Sequence, residues 1–166
     1  MQAAQRRQEV LDILNQSAQP VSASALATRF SVSRQVIVGD IALLRAGGAE
    51  ISATPRGYVI QQSPMGVVRQ VACRHNMAQM ESELNAIVDQ GCTVLDVIVE
   101  HPVYGQITGP LQLSSRYDVS QFLTRCIQPL SNLTEGIHLH TLSCPSEAAY
   151  ARVLAVLDEL GFLLKD

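Results

Sequence analysis

Two histidines, His138 and His140, alternate with Ile137, Leu139 and Thr141 in this 166-residue chain. In a β-strand, residues i and i+2 project from one face, so this spacing sends both imidazoles the same way, where they can grip one metal ion. A third imidazole, His75, stands where a strand-like run, VVRQVACRH, gives way to a helical one. Glu81 and Glu83 follow at opposite edges of that helix's apolar face. Three imidazoles and a carboxylate suit a borderline divalent ion such as zinc, nickel or ferrous iron. The cysteines, Cys73, Cys92, Cys126 and Cys144, form no CxxC pair, which argues against a zinc ribbon or a disulfide framework. Cys73 and Cys144, near the histidines in sequence, read as small buried residues.

The elements that must position these groups alternate in period. After the strand that opens at Val67 comes a helix over Asn76–Gln90, with Met77, Met80, Leu84, Ile87 and Val88 on one face and Gly91 ending it. TVLDVIVEH (93–101) and Gly105–Leu113 read as strands. Ser115–Ile127 reads as a helix with Val119, Phe122, Leu123 and Cys126 inward. A strand over Gly136–Leu142 and a helix over Ser146–Leu160, stopped by Gly161, complete the order. This βαββαβα series predicts an α+β domain over 67–166: a mainly antiparallel four-stranded sheet with helices on one face. If the histidines face the helices, Ile137 and Leu139 lie on the other side. A second copy of the chain would cover that apolar patch, so a homodimer is expected.

Residues 1–62 are built on a different plan. Val10, Leu11, Ile13 and Leu14 share the face of a first helix. Ser22 is an N-cap for Ala23–Phe30, and Ser33 caps a helix that runs to about Ala46 with Val36, Ile37, Ile41 and Leu44 inward. Gly47-Gly48 stops that helix. Glu50–Ala53 and Gly57–Gln61 then flank the turn Thr54-Pro55-Arg56-Gly57. Three helices and a hairpin make a winged helix-turn-helix. The polar QQSPMG (61–66) separates it from the βαββαβα domain. The segment VSASALATRFSVSRQVIVGDIALLRAGG resembles the helix-turn-helix of the biotin-operon-repressor-like class. The resemblance implies that the helix starting at Ser33 enters the DNA major groove. Ser33, Arg34 and Gln35 are then the readers, since Arg and Gln pair bidentately with guanine and adenine edges. Arg56, at the wing tip, is placed for a phosphate or the minor groove. Gly39 falls on the exposed side, where that class usually carries a long side chain.

Composition narrows the field further. At 47% apolar the chain is no disordered tail. Residues 1–62 hold six arginines against four acids; residues 63–166 hold five arginines and one lysine against eleven acids. Anion contact therefore belongs to the first segment. No apolar run approaches the ~18 residues of a membrane span. MQAAQRRQEVLDILNQS, interrupted by Glu9 and Asp12, reads as a helix and not a signal peptide, and the scattered thiols suit a cytoplasmic protein.

RHNMAQMESEL, VIVEHPVYGQI and GIHLHTL resemble the three histidine motifs of the 3H domain. Joined to the winged helix, the chain is similar over essentially its whole length to the niacin-responsive transcriptional repressors. That resemblance implies a homodimeric repressor of NAD biosynthesis or niacin uptake genes. It would bind double-stranded operator DNA with nicotinic acid as co-repressor and a divalent metal in its C-terminal domain. By motif position the metal ligands are His75, Glu83, His138 and His140; the helical wheel admits Glu81 as well, and the resemblance chooses Glu83. His101 and Tyr104, in the middle motif, are the candidates for the effector pocket. Two other functions fit the histidines. One is a regulator that answers to metal alone. The other is a small metalloenzyme, disfavoured by the missing general base and by the DNA-binding half.

Overall fold

Serine hydroxyls start two of the three helices of the N-terminal part. A computed structural model describes residues 1–60, 66–126 and 129–165, with Leu133 described by its backbone alone. The expected linker over 61–65, and Ile127 as the end of a helix, lie outside the described residues. The chain divides into two compact units, Met1–Ser63 and Pro64–Asp166.

The first unit contains α1 (Ala3–Gln16), α2 (Ala23–Phe30), α3 (Arg34–Ala46) and a hairpin of β1 (Ile51–Thr54) and β2 (Gly57–Ile60). Ser22 Oγ accepts the Ala25 N–H at 3.0 Å and Ser33 Oγ accepts the Val36 N–H at 3.2 Å, each satisfying a donor that a helix start leaves open. Between them Ser31 takes a left-handed conformation (φ 53°), which turns the chain out of α2. Val10, Leu14, Leu26, Ile37, Ile41 and Ile51 form the core. Arg6 ties α1 to α3 through two hydrogen bonds to the buried Asp40, at 2.6 and 3.2 Å. Gly57 (φ +134°) closes the wing turn where a Cβ would sit 2.5 Å from the Val21 backbone. Val21 and Tyr58 exchange hydrogen bonds at 2.9 and 2.8 Å, pinning the wing to the α1–α2 connection. Val36, expected inward, is instead on the open side of α3. The buried stripe runs through Ile37, Asp40 and Ile41, and its polar member hides the true face from a hydrophobicity pattern.

The second unit orders its elements as β3 (Val67–Arg74), α4 (Met80–Val88), β4 (Thr93–His101), β5 (Gly105–Leu113), α5 (Arg116–Arg125), β6 (Ile137–Cys144) and α6 (Glu147–Glu159). The sheet order is β3-β6-β4-β5, antiparallel throughout. The last strand therefore lies inside the sheet, with Val71 opposite His140 and Cys73 opposite His138. Alternate residues of β6, His138, His140, Leu142 and Cys144, are buried against the helices, where Leu84, Ile87, Val94, Leu113, Val119, Val153 and Leu157 form the core. Along β4 the ladder advances from Val94 to Ile98 while β6 advances only from Leu142 to Leu139, a bulge of one extra residue.

Two departures from expectation concern helix starts. The helix expected from Asn76 begins as a 3-10 turn over Met77–Gln79, because Asn76 and Gln79 cap each other reciprocally, at 3.1 and 3.2 Å. Met77 consequently falls off the apolar face and is exposed. A second 3-10 segment, Leu130–Thr134, lies where no periodic pattern marks it. Among the described residues no helix is long and apolar enough to cross a membrane.

Candidate metal centre and DNA-reading surface

Four groups from three parts of the second unit meet at one point. β6 supplies His138 and His140, α4 supplies Glu83, and His75 comes from the residue after β3. All four are buried, and Glu83 is wholly inaccessible. Each imidazole uses Nδ1 in the same way. His75 donates to the Asn76 carbonyl at 2.8 Å, His138 to the Gly136 carbonyl at 2.8 Å, and His140 to the Asp96 carbonyl at 2.7 Å. A carbonyl only accepts, so Nδ1 carries a proton, and in the neutral imidazole Nε2 is left with its lone pair. The third of these contacts falls in the β4 bulge, where Asp96 has no ladder partner on β6. Asp96 Oδ1 meanwhile accepts the Thr141 N–H at 2.8 Å.

All three Nε2 atoms face the Glu83 carboxylate. His138 Nε2 is 3.0 Å from both oxygens, and His75 and His140 each make a close contact with one oxygen. Neutral imidazoles would present lone pairs to a carboxylate in a site shielded from water. This constellation is satisfied by protons or by a cation at its centre. The donor set of three nitrogens and one carboxylate, with every Nδ1 held by an outer carbonyl, fits a borderline divalent ion. Cys73 lies alongside: its Sγ, a Glu83 oxygen and a His138 nitrogen are all within 4.8 Å of one another. Burial, with the Glu83 charge, pushes this thiol's pKa up, so without a metal it is a neutral S–H on the wall of the site.

The electrostatics divide the cluster. Burial works against ionisation of Glu83, but the charge of His140 and the hydrogen bonds from His138 and His140 outweigh it and hold the carboxyl well below its usual range. His140 shows the mirror image: burial would lower it, and Glu83 with the Asp96 carbonyl raises it above 6.5. His75 is lowered, chiefly by burial. One imidazole thus favours a proton while another resists one.

Beside the cluster opens a cavity of about 180 Å³, walled by Leu84, Val97, Leu111, Phe122 and Leu130, with Ser131 also in its lining. No lysine or arginine lines it among the described residues. His101 and Tyr104 do not line it either. They form the β4–β5 turn, where His101 Nδ1 accepts the N–H groups of Val103 (3.1 Å) and Tyr104 (3.2 Å), and Tyr104 is 78% exposed. Glu81 faces solvent. The pattern reading missed the cavity, Asp96 and Ser131; the last lies in the aperiodic 3-10 segment, where no signal marks it.

On the first unit, Ser33, Arg34 and Gln35 are exposed at the start of α3, with the Ser33 hydroxyl already engaged as the cap. Arg56 stands in the wing turn, its Nη2 donating to Gln19 Oε1 at 2.8 Å. Val36, 37% exposed, adds an apolar group to the same end of the helix, suited to a thymine methyl. Gly39 is exposed with open space around it.

A helix-turn-helix with its third helix open to solvent at its start, in a chain that also carries a buried three-histidine cluster, points to the class of DNA-binding proteins. Comparison with known proteins carries this further. A family profile described as 3H domain matches residues 68–166, and one described as HTH domain matches residues 6–59. The chain is 43% identical over 166 residues to the probable transcription repressor NiaR of Thermotoga maritima, covering 98% of this chain and 95% of that protein. It is 42% identical over 174 residues to the transcription repressor NadR of Bacillus subtilis, covering 100% of this chain and 97% of that one. The chain belongs to this family of 3H-domain transcription repressors, and it is a DNA-binding protein and not an enzyme.

Proposed function

We propose that this repressor silences genes of NAD biosynthesis or niacin uptake, with nicotinic acid as co-repressor and a divalent metal held by His75, Glu83, His138 and His140. A repressor acting on operator DNA works in the cytoplasm. The observation that carries the reading is the convergence of three Nε2 atoms on a buried carboxylate beside a cavity with no lysine or arginine among its described lining residues. Glu83 brings one negative charge and the neutral imidazoles bring none. A divalent ion there would leave one positive charge facing the cavity. A planar monoanion such as nicotinate matches that charge and that apolar wall, whereas the neutral amide does not. The chain's own groups then set the response. The outer carbonyls hold the imidazoles in one tautomer, Leu84, Val97, Leu111 and Phe122 exclude water, and the ligand stabilises whichever arrangement binds it better.

The protein acts as a homodimer in this reading. The sheet face away from the helices carries Val68, Ile137 and Leu164, each 39–40% exposed, around Ala72 and Leu139. Two copies of α3 would read successive major grooves of a two-fold operator.

A DNA shift assay with and without nicotinate, each with and without chelator, tests the proposal. Operator binding should tighten with nicotinate only when metal is present. A response to metal alone, indifferent to saturating nicotinate, would instead support a metal-responsive regulator, the reading favoured by a ligand cluster that is complete without any effector.

A further inference from the structure

Outside the ligand cluster, Ser131 brings the one hydroxyl among the described residues that line the cavity; the rest of the wall is hydrocarbon, sulfur and backbone. Ser131 is 6% exposed. Its carbonyl accepts the Gly136 N–H at 2.8 Å and the Thr134 hydroxyl at 3.3 Å, yet its own hydroxyl makes no hydrogen bond among the described residues. The hydroxyl itself keeps some access, so it is available to a molecule that enters the cavity.

Its position is also fixed. The Gly136 carbonyl, one peptide unit from the N–H that holds Ser131, accepts the His138 Nδ1–H at 2.8 Å. Gly136 adopts φ +89°, and a Cβ there would lie 2.2 Å from the His75 carbonyl oxygen, so the 3-10 segment is drawn tight against the cluster. Ser131 and His138 are thereby tied through Gly136, and both line the same cavity.

We infer that Ser131 is the recognition group for a hydrogen-bond acceptor in the effector's ring, so that the cavity selects planar monoanions bearing a ring acceptor. The inference rests on the reading that an anionic effector fills the cavity. The acid group meets the cluster at one end, and the hydroxyl donates to the ring acceptor at the other. A site built around such a donor disfavours an analogue lacking the acceptor, because the donor is then left unpaired.

Nicotinate and benzoate separate the two ends, since they share the carboxylate and the six-membered ring and differ in the ring nitrogen. Calorimetric titration of the full-length, zinc-loaded protein should show nicotinate binding about 3- to 10-fold tighter than benzoate, the range of one neutral hydrogen bond. Ser131→Ala should lose that preference by weakening nicotinate alone, and Ser131→Thr should keep it. Retained benzoate binding would show that the alanine variant is folded. Unchanged nicotinate affinity in Ser131→Ala, or an equal loss for both acids, overturns the assignment while leaving the anionic effector standing. If the parent protein binds neither acid, the effector reading falls and this assignment with it.

Discussion

Glu83 is a wholly buried carboxylate whose nearest polar neighbours are three imidazole nitrogens. Glu83→Gln keeps the shape and removes the charge. It should weaken metal binding by more than the about 10- to 100-fold that loss of an outer-shell partner typically costs, as read by competition with a chromogenic chelator. Acid should do the same gradually. A metal must displace the proton that His140, raised above 6.5, tends to hold, so affinity should already be falling as pH drops toward that value. In the metal-free protein the same shifts act on stability. The raised His140 contributes fully below 6.5 and ceases to as pH climbs through its folded value; the depressed Glu83 contributes above 4.5 and ceases to only as pH falls through its own. The gain in melting temperature on adding zinc should therefore be larger at about pH 8 than at about pH 6. At the DNA surface, Arg34→Ala should cost roughly 1–3 kcal/mol of operator binding and relax choice at one base pair. Arg56→Ala should weaken all sequences alike and flatten the salt dependence, measured by fluorescence anisotropy across a salt series.

At the scale of elements, α3 and β4 each carry a testable irregularity. Gly39 interrupts α3 on its exposed side, and nothing lies within 4 Å of where its Cβ would be. Gly39→Ala should stabilise the protein by up to about 1 kcal/mol, visible as a raised melting temperature. The β4 bulge works through Asp96, whose carbonyl orients His140 and whose carboxylate holds the Thr141 N–H. Asp96→Ala should lower stability by about 1 kcal/mol and loosen the metal, while Asp96→Asn, which keeps an acceptor, should retain most of both. These cases show what a sequence can and cannot disclose. Strand alternation is strictly two-fold, so one assignment places every residue of β6, and His138 and His140 are legible as neighbours on one face. Helical faces are less certain. Periodicity misplaces Val36 because the buried stripe of α3 includes a salt-bridged Asp40, and Met77 because a capping box tightens the first turn. The bulge, the cavity and the Ser131 segment depend on contacts between distant strands and leave no periodic trace.

For the whole molecule, the exposed apolar sheet face predicts assembly. Sedimentation of the full-length chain should give a dimer, and the double substitution Val68→Asp, Ile137→Asp should give a folded monomer that still binds metal but holds operator DNA poorly. A monomeric parent at micromolar concentration would remove that proposal. The placement of β6 inside the sheet has a consequence for how the protein is made. Synthesis runs from the N-terminus, so His75 and Glu83 emerge long before the two histidines near residue 140. A ribosome-bound fragment ending before Ile137 has only half of the four groups, and it lacks the strand that joins β3 to β4. Such a fragment cannot close the sheet, and under the proposed metal site it would not retain an ion. Metal retention would thus mark a chain that has completed β6, and interrupted products, which still contain the helix-turn-helix unit, would be left unclosed and open to proteolysis instead of competing for operators.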